Sequence, residues 1–145
     1  MTSVTDAISH AVAVTTDAVS EAVDALEKGT QQIVQAVVEV AKAVSEALQS
    51  DTWTEFFSKL QEVFQALDRL RTVRAQVNFK DLPANASKRE KERVEEFKQR
   101  IELAMAEGAA LKKLVLDEAR RRQQAQASEQ AARITDNARG TITLR

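Results

Sequence analysis

One repeat constrains this chain more than any other feature. Val12, Thr16, Val19, Val23, Leu26, Thr30, Ile33, Val37, Val40, Val44 and Ala47 follow one another at alternating spacings of four and three. At 3.6 residues per turn, that spacing places every one of them on a single stripe of an α-helix. The stripe is a heptad seam, which needs another helix against it. It runs through Gly29-Thr30 without losing phase. A loop at that point would leave nothing to hold the register, so one helix is expected over residues 4–49, ~67 Å long at 1.5 Å per residue. The alternative is a break with Gly29 just past the end of one helix and Thr30 capping the next.

The flanks of the seam carry small residues, Ala11, Ala18 and Ala25 on one side and Ala22, Ala36 and Ala43 on the other. Small flanks let neighbouring helices approach closely. A second apolar stripe of Val34, Val38, Ala41 and Leu48 leaves only Gln32, Gln35, Glu39, Lys42 and Glu46 as a continuous polar strip. A helix that is apolar around most of its circumference is covered on several sides. The seam residues Val12, Val19, Val23, Leu26, Ile33, Val37, Val40 and Val44 are therefore expected to form an oligomer interface, covered by identical subunits or a dedicated helical partner.

Thr52 and Glu55 open a second helix as a capping box. Its broad apolar face includes Trp53, Phe56, Phe57, Leu60, Val63, Phe64, Leu67 and Leu70, and five of the six aromatic residues fall within 53–79. Trp53, Phe56, Phe57 and Phe64, with Phe97 and Ile101 from the helix that follows, are the expected core anchor. The only proline, Pro83, marks the loop before Ser87 and Glu90, a second capping box. Val94, Phe97, Ile101, Ala104, Gly108, Leu111 and Val115 continue a further seam, which thins beyond Ala119 to Ala127, Ala131, Ile134 and Ala138. Residues 120–139 favour helix by propensity but bury little, so they need a partner or fray. Thr141–Leu144, after Gly140, has strand character.

These patterns predict an all-α fold, an elongated bundle or hairpin of about three long helices near 4–49, 52–78 and 87–139, with coiled-coil-like seams. The chain divides into an Ala/Val-rich oligomerisation segment (1–50), an aromatic-anchored hairpin core (51–119) and an Arg/Gln-rich extension and tail (120–145). Three glycines and one proline among 145 residues are too few for the reversals of a sheet-rich fold.

Little in the chain suggests chemistry. There is no cysteine, and His10 is the only imidazole, which removes thiolate sites, His-based triads and most zinc chemistry. His10 lies one turn after Asp6, but residue 7 is alanine, so the Glu-x-x-His unit of a carboxylate-bridged di-iron bundle is missing. Glu90, Glu92, Glu95 and Glu96 interleave with Lys88, Arg89, Lys91, Arg93, Lys98 and Arg100, the pattern of i,i+3 and i,i+4 pairs on a solvated face. No phosphate loop, calcium loop or nucleophile motif is present. The expectation is a protein that is not an enzyme and uses no metal or cofactor. The run Arg120–Arg122 lacks interleaved aromatics for stacking on bases, so nucleic acid is not the expected partner. Asn85-Ala86-Ser87 matches a glycosylation sequon but reads better as a turn leading into a helix cap.

Charge is unevenly spread. Residues 1–60 carry a net −6, residues 61–119 a net +1 and residues 120–145 a net +4. Such a gradient favours antiparallel or head-to-tail association. The first basic residue is Lys28, so no charged n-region of a signal peptide precedes an apolar stretch. Uncharged stretches such as 7–16 and 29–38 fall well short of a bilayer span. The expected location is cytoplasmic, or outside by a route that needs no signal peptide. The expected function is structural: self-association through long amphipathic helices, as in a filament, tube, coat or secretion apparatus. The chief rival is a membrane-active helical protein that forms pores or coats lipid, and a helical adaptor or chaperone is a third.

Overall fold

A computed structural model describes the backbone of residues 4–78 and 86–143 and the side chains of residues 18–78 and 86–135. It contains three helices: α1 (Val4–Leu48), α2 (Trp53–Ala75) and α3 (Lys88–Thr143). The fold is all-α, and the helices pack against one another. α1 is continuous for 45 residues through Gly29. Thr30 lies within it, 2% exposed. Instead of capping a new helix, its hydroxyl donates 2.7 Å back to the Leu26 carbonyl. That i−4 bond satisfies a buried hydroxyl without breaking the helix.

The predicted box at Ser87 forms in both directions and that at Thr52 in one. The Glu55 amide donates to the Thr52 hydroxyl at 3.1 Å. The Glu90 amide donates to Ser87 Oγ at 3.1 Å, and the Glu90 carboxylate accepts in return from the Ser87 hydroxyl at 2.8 Å. The C-terminal end departs from expectation. Residues 141–143 are the last turn of α3 and not a strand, because three β-favouring residues have no strand among the described residues to pair with. Leu144 lies outside the described residues.

Cross-helix contacts establish the topology. Lys59 pairs with Glu46 at 3.8 Å and Arg69 with Glu39 at 2.7 Å, so α2 runs antiparallel to α1. Arg93 pairs with Glu27 at 3.1 Å, while Arg122 reaches the Leu48 and Ser50 carbonyls, so α3 runs parallel to α1. These exposed ion pairs report register more than they contribute stability.

The core is built on α1. Val23, Leu26, Ile33, Ala36, Val37, Val40, Val44 and Ala47 are buried against Phe56, Leu60, Val63 and Leu70 of α2 and Val94, Phe97, Ile101, Ala104 and Val115 of α3. α2 and α3 each pack along α1 but meet each other at only a few points. The predicted α2/α3 hairpin core is therefore replaced by one in which α1 supplies the shared wall. The physical reason is side-chain size: the Ala and Val of α1 let both neighbours come close, whereas bulky Phe, Leu and Ile hold α2 and α3 apart. Two buried glycines leave room for side chains of neighbouring segments. A Cβ on Gly29 would lie 2.8 Å from a Val77 methyl, and one on Gly108 would lie 2.8 Å from Leu70.

Truncating the fully buried Ile33 to alanine should lower unfolding free energy by about 2–5 kcal/mol. Val38→Ala, on the exposed flank of the same helix, should change it by no more than about 0.5 kcal/mol. Chemical denaturation of the two variants checks this, and equal losses would contradict the packing described.

Candidate interaction surface

Of the eight predicted interface residues, Val19, Val23, Leu26, Ile33, Val37, Val40 and Val44 are each 8% exposed or less within a single chain. The stripe from Val23 to Val44 is occupied by the chain's own α2 and α3. A second subunit could reach these side chains only by opening the bundle, so they are core. The eighth, Val12, has its side chain outside the described residues, as do His10 and Asp6. The spacing that marks a seam is the same whether the facing helix is intramolecular or intermolecular, which is why the periodicity alone assigned it to a partner.

The core anchor is corrected at two positions. Phe56, Phe97 and Ile101 are buried and Trp53 is half-buried, its ring stacked on Phe56 with centroids 6.0 Å apart. Phe57 and Phe64, however, are 50% and 41% exposed. They stand seven residues apart on a stripe about 100° around the helix from Phe56, on a flank that α1 does not reach.

Of the predicted second stripe of α1, Val34 and Val38 lie at the surface, while Ala41 is half-buried and Leu48 packs against the core. Val34 and Val38 are 44% and 52% exposed, and on α3 Leu103 and Leu114 are 71% and 51% exposed. Val34, Val38 and Ala41 line one wall of a groove of about 290 Å³, and Arg100, Leu103 and Glu107 of α3 line the other. The groove lies on the flank of α1 that carries Glu27 and faces α3, away from the Glu39 and Glu46 pairs with α2. Scattered exposed aliphatics are ordinary, but a run shared by two adjacent helices is the form of an interaction surface. Leu103 and Leu114 were not anticipated from the sequence. The core seam of α3 dominates its pattern, and a second stripe interleaved with charges shows only when the first is known to be buried.

Arg122 is the other residue whose role only tertiary structure discloses. It donates to the Ser50 carbonyl at 2.7 Å and the Leu48 carbonyl at 3.1 Å, satisfying orphan acceptors at the end of α1. Its guanidinium carbon sits 4.4 Å from the centre of the Phe56 ring, and it bonds Glu118 at 2.8 Å. One side chain from the middle of α3 thus joins the C-terminal end of α1 to the first turn of α2. Its planar fork of donors suits this task in a way that a lysine ammonium does not. Arg121 also donates to Glu118, at 2.7 Å. The bond from Arg121 and then that from Arg122 hold the Glu118 carboxylate below the usual carboxylate range.

Beyond Arg122 the described side chains of α3 are exposed except for the half-buried Gln126. Ile134, on this arm, is 70% exposed. Among the described residues no group of three or more Asp, Glu, His or Cys could hold a metal ion. No helix among them is long and apolar enough to cross a membrane. Comparison with family models, curated proteins and solved structures finds no match to this chain.

Arg122→Ala should destabilise the bundle by roughly 1–3 kcal/mol, through partly buried carbonyls left unpaired and a lost cation–π contact. Arg122→Lys should recover only part of that, as read by thermal unfolding. Because the folded pKa of Glu118 is depressed, its contribution is complete above the ordinary Glu value of about 4.3. It is lost as pH falls through the lower folded value. Glu118→Gln should therefore lose less stability than wild type on acidification below about pH 4, measured by denaturant midpoints across pH.

Proposed function

We propose that this protein is a structural or assembly component that self-associates through its helices, building a filament, tube, coat or secretion apparatus, and that it carries no catalytic chemistry of its own. One observation carries the proposal. The chain has an accessible surface of 10730 Å², whereas a compact monomer of 16.1 kDa would present about 7,400 Å² by the usual scaling with mass. A chain that leaves so much surface uncovered, some of it as aliphatic side chains shared by α1 and α3, is suited to having that surface covered by other copies.

Charge supports the same conclusion. α1 and α3 run parallel, so the acidic start of the chain and its basic end belong to opposite ends of the bundle. Opposite charges then meet when copies associate head to tail. Such a contact is heterologous, and it repeats into an open array unless the rotation closes a ring. The polar, exposed arm beyond Arg122 buries little by itself, and helices of that kind gain stability from partners.

Sedimentation velocity or light scattering over a micromolar concentration range tests the proposal. Particles heavier than 16.1 kDa are expected, with association weakened by salt because screening reduces contacts between exposed charges. A 16.1 kDa species that is unchanged by concentration and salt would overturn it. Flotation with anionic liposomes in place of self-association would favour the membrane-active alternative.

A further inference from the structure

We infer that α3 carries a two-fold self-association stripe, and that a second copy of this chain seats its own α3 antiparallel across it, centred between Gly108 and Ala109. The inference rests on the proposal of self-association and specifies one contact within it. Glu96, Arg100, Leu103, Glu107, Ala110, Leu114, Asp117 and Arg121 follow one another at spacings of four and three. They form a second heptad stripe, about 100° around the helix from the one that faces α1. All are exposed, including Leu103 at 71% and Leu114 at 51%.

The order of charges along this stripe identifies its occupant. In an antiparallel pair centred on residues 108 and 109, Leu103 meets the second copy's Leu114, and Arg100 meets its Asp117. Glu96 likewise meets the second copy's Arg121, and Glu107 lies over its Ala110, where the carboxylate can extend to solvent. The two-fold repeats each contact, so the stripe is complementary to its own reverse. Parallel in-register pairing would instead put Glu96, Arg100, Glu107, Asp117 and Arg121 each against its own copy. Sliding the antiparallel pair by one heptad opposes leucine to arginine or glutamate. The pattern thus excludes the competing arrangements by repulsion as well as favouring one by attraction. The shoulder beside the stripe fits the same occupant. Val34, Val38 and Ala41 share the groove of about 290 Å³ with Leu103, so the second copy's Leu114, arriving opposite Leu103, meets an aliphatic wall.

Cysteine cross-linking of the full-length chain, which has no cysteine of its own, tests the register. In the antiparallel pair, position 103 faces position 114 of the other copy. Like positions are displaced by eleven residues, ~16 Å along the helix at 1.5 Å per residue, beyond the roughly 4.4–6.8 Å Cα separation of a disulfide. Leu103→Cys mixed with Leu114→Cys should therefore form a disulfide-linked dimer on mild oxidation, and neither variant should do so alone. In parallel, Arg100→Glu should weaken the dimer by about tenfold or more, and Arg100→Glu with Asp117→Arg should restore it. A structural role for Arg100 would not produce that rescue. Cross-linking of Leu103→Cys with itself would overturn the antiparallel arrangement. A wild-type oligomer with no cross-link in any mixture would overturn this contact while leaving self-association standing, and a wild-type monomer would overturn both.

Discussion

Everything in this fold depends on the stripe of small β-branched and alanine residues along α1. Between Val23 and Ala47 it buries Val, Ile, Leu and Ala against two different helices. Packing of this kind gains from area and from close fit, and both follow from side-chain size. Valine and alanine keep the wall of α1 flat, so α2 and α3 can settle on it with their larger Phe, Leu and Ile side chains filling the space between. Gly29 on α1 and Gly108 on α3 likewise leave space where even a methyl group would meet Val77 or Leu70.

The ends of the bundle are secured differently. The exposed pairs Arg69–Glu39 and Arg93–Glu27 lie in solvent and define alignment. Arg122 works from a more protected position, taking the last carbonyls of α1, the face of Phe56 and the carboxylate of Glu118 together. It marks the boundary between the bundled part of α3 and the solvated arm beyond it. The bundle is thus closed on its inner faces, and exposed aliphatic and charged side chains remain along the α1/α3 flank and on the α3 arm.

Much of the fold was legible from the residues. The three helices, the capping boxes at Thr52 and Ser87 and the continuity of α1 all follow from local rules: heptad phase, hydroxyl capping and the absence of turn residues. What failed was the assignment of partners. The heptad phase of the Val23–Val44 stripe points equally to another subunit and to the chain's own core, which is where it lies, and the aromatic cluster includes Phe57 and Phe64, which are exposed. A cluster in sequence spans every side of a helix, and only its neighbours decide which side is inside. Leu103 and Leu114 were hidden for the converse reason, since their stripe alternates with charges and is outweighed by the stronger seam on the same helix.

The sequence by itself determined that the chain is helical, where each helix starts and which stripe of each is apolar. Those properties depend on interactions within a few turns, whose spacing is written directly in the residues. Tertiary structure alone decided that α1 is the shared wall, that Arg122 caps it, and which apolar stripes remain at the surface. Each of those outcomes depends on which helix lies alongside which, and a heptad specifies only that some helix must.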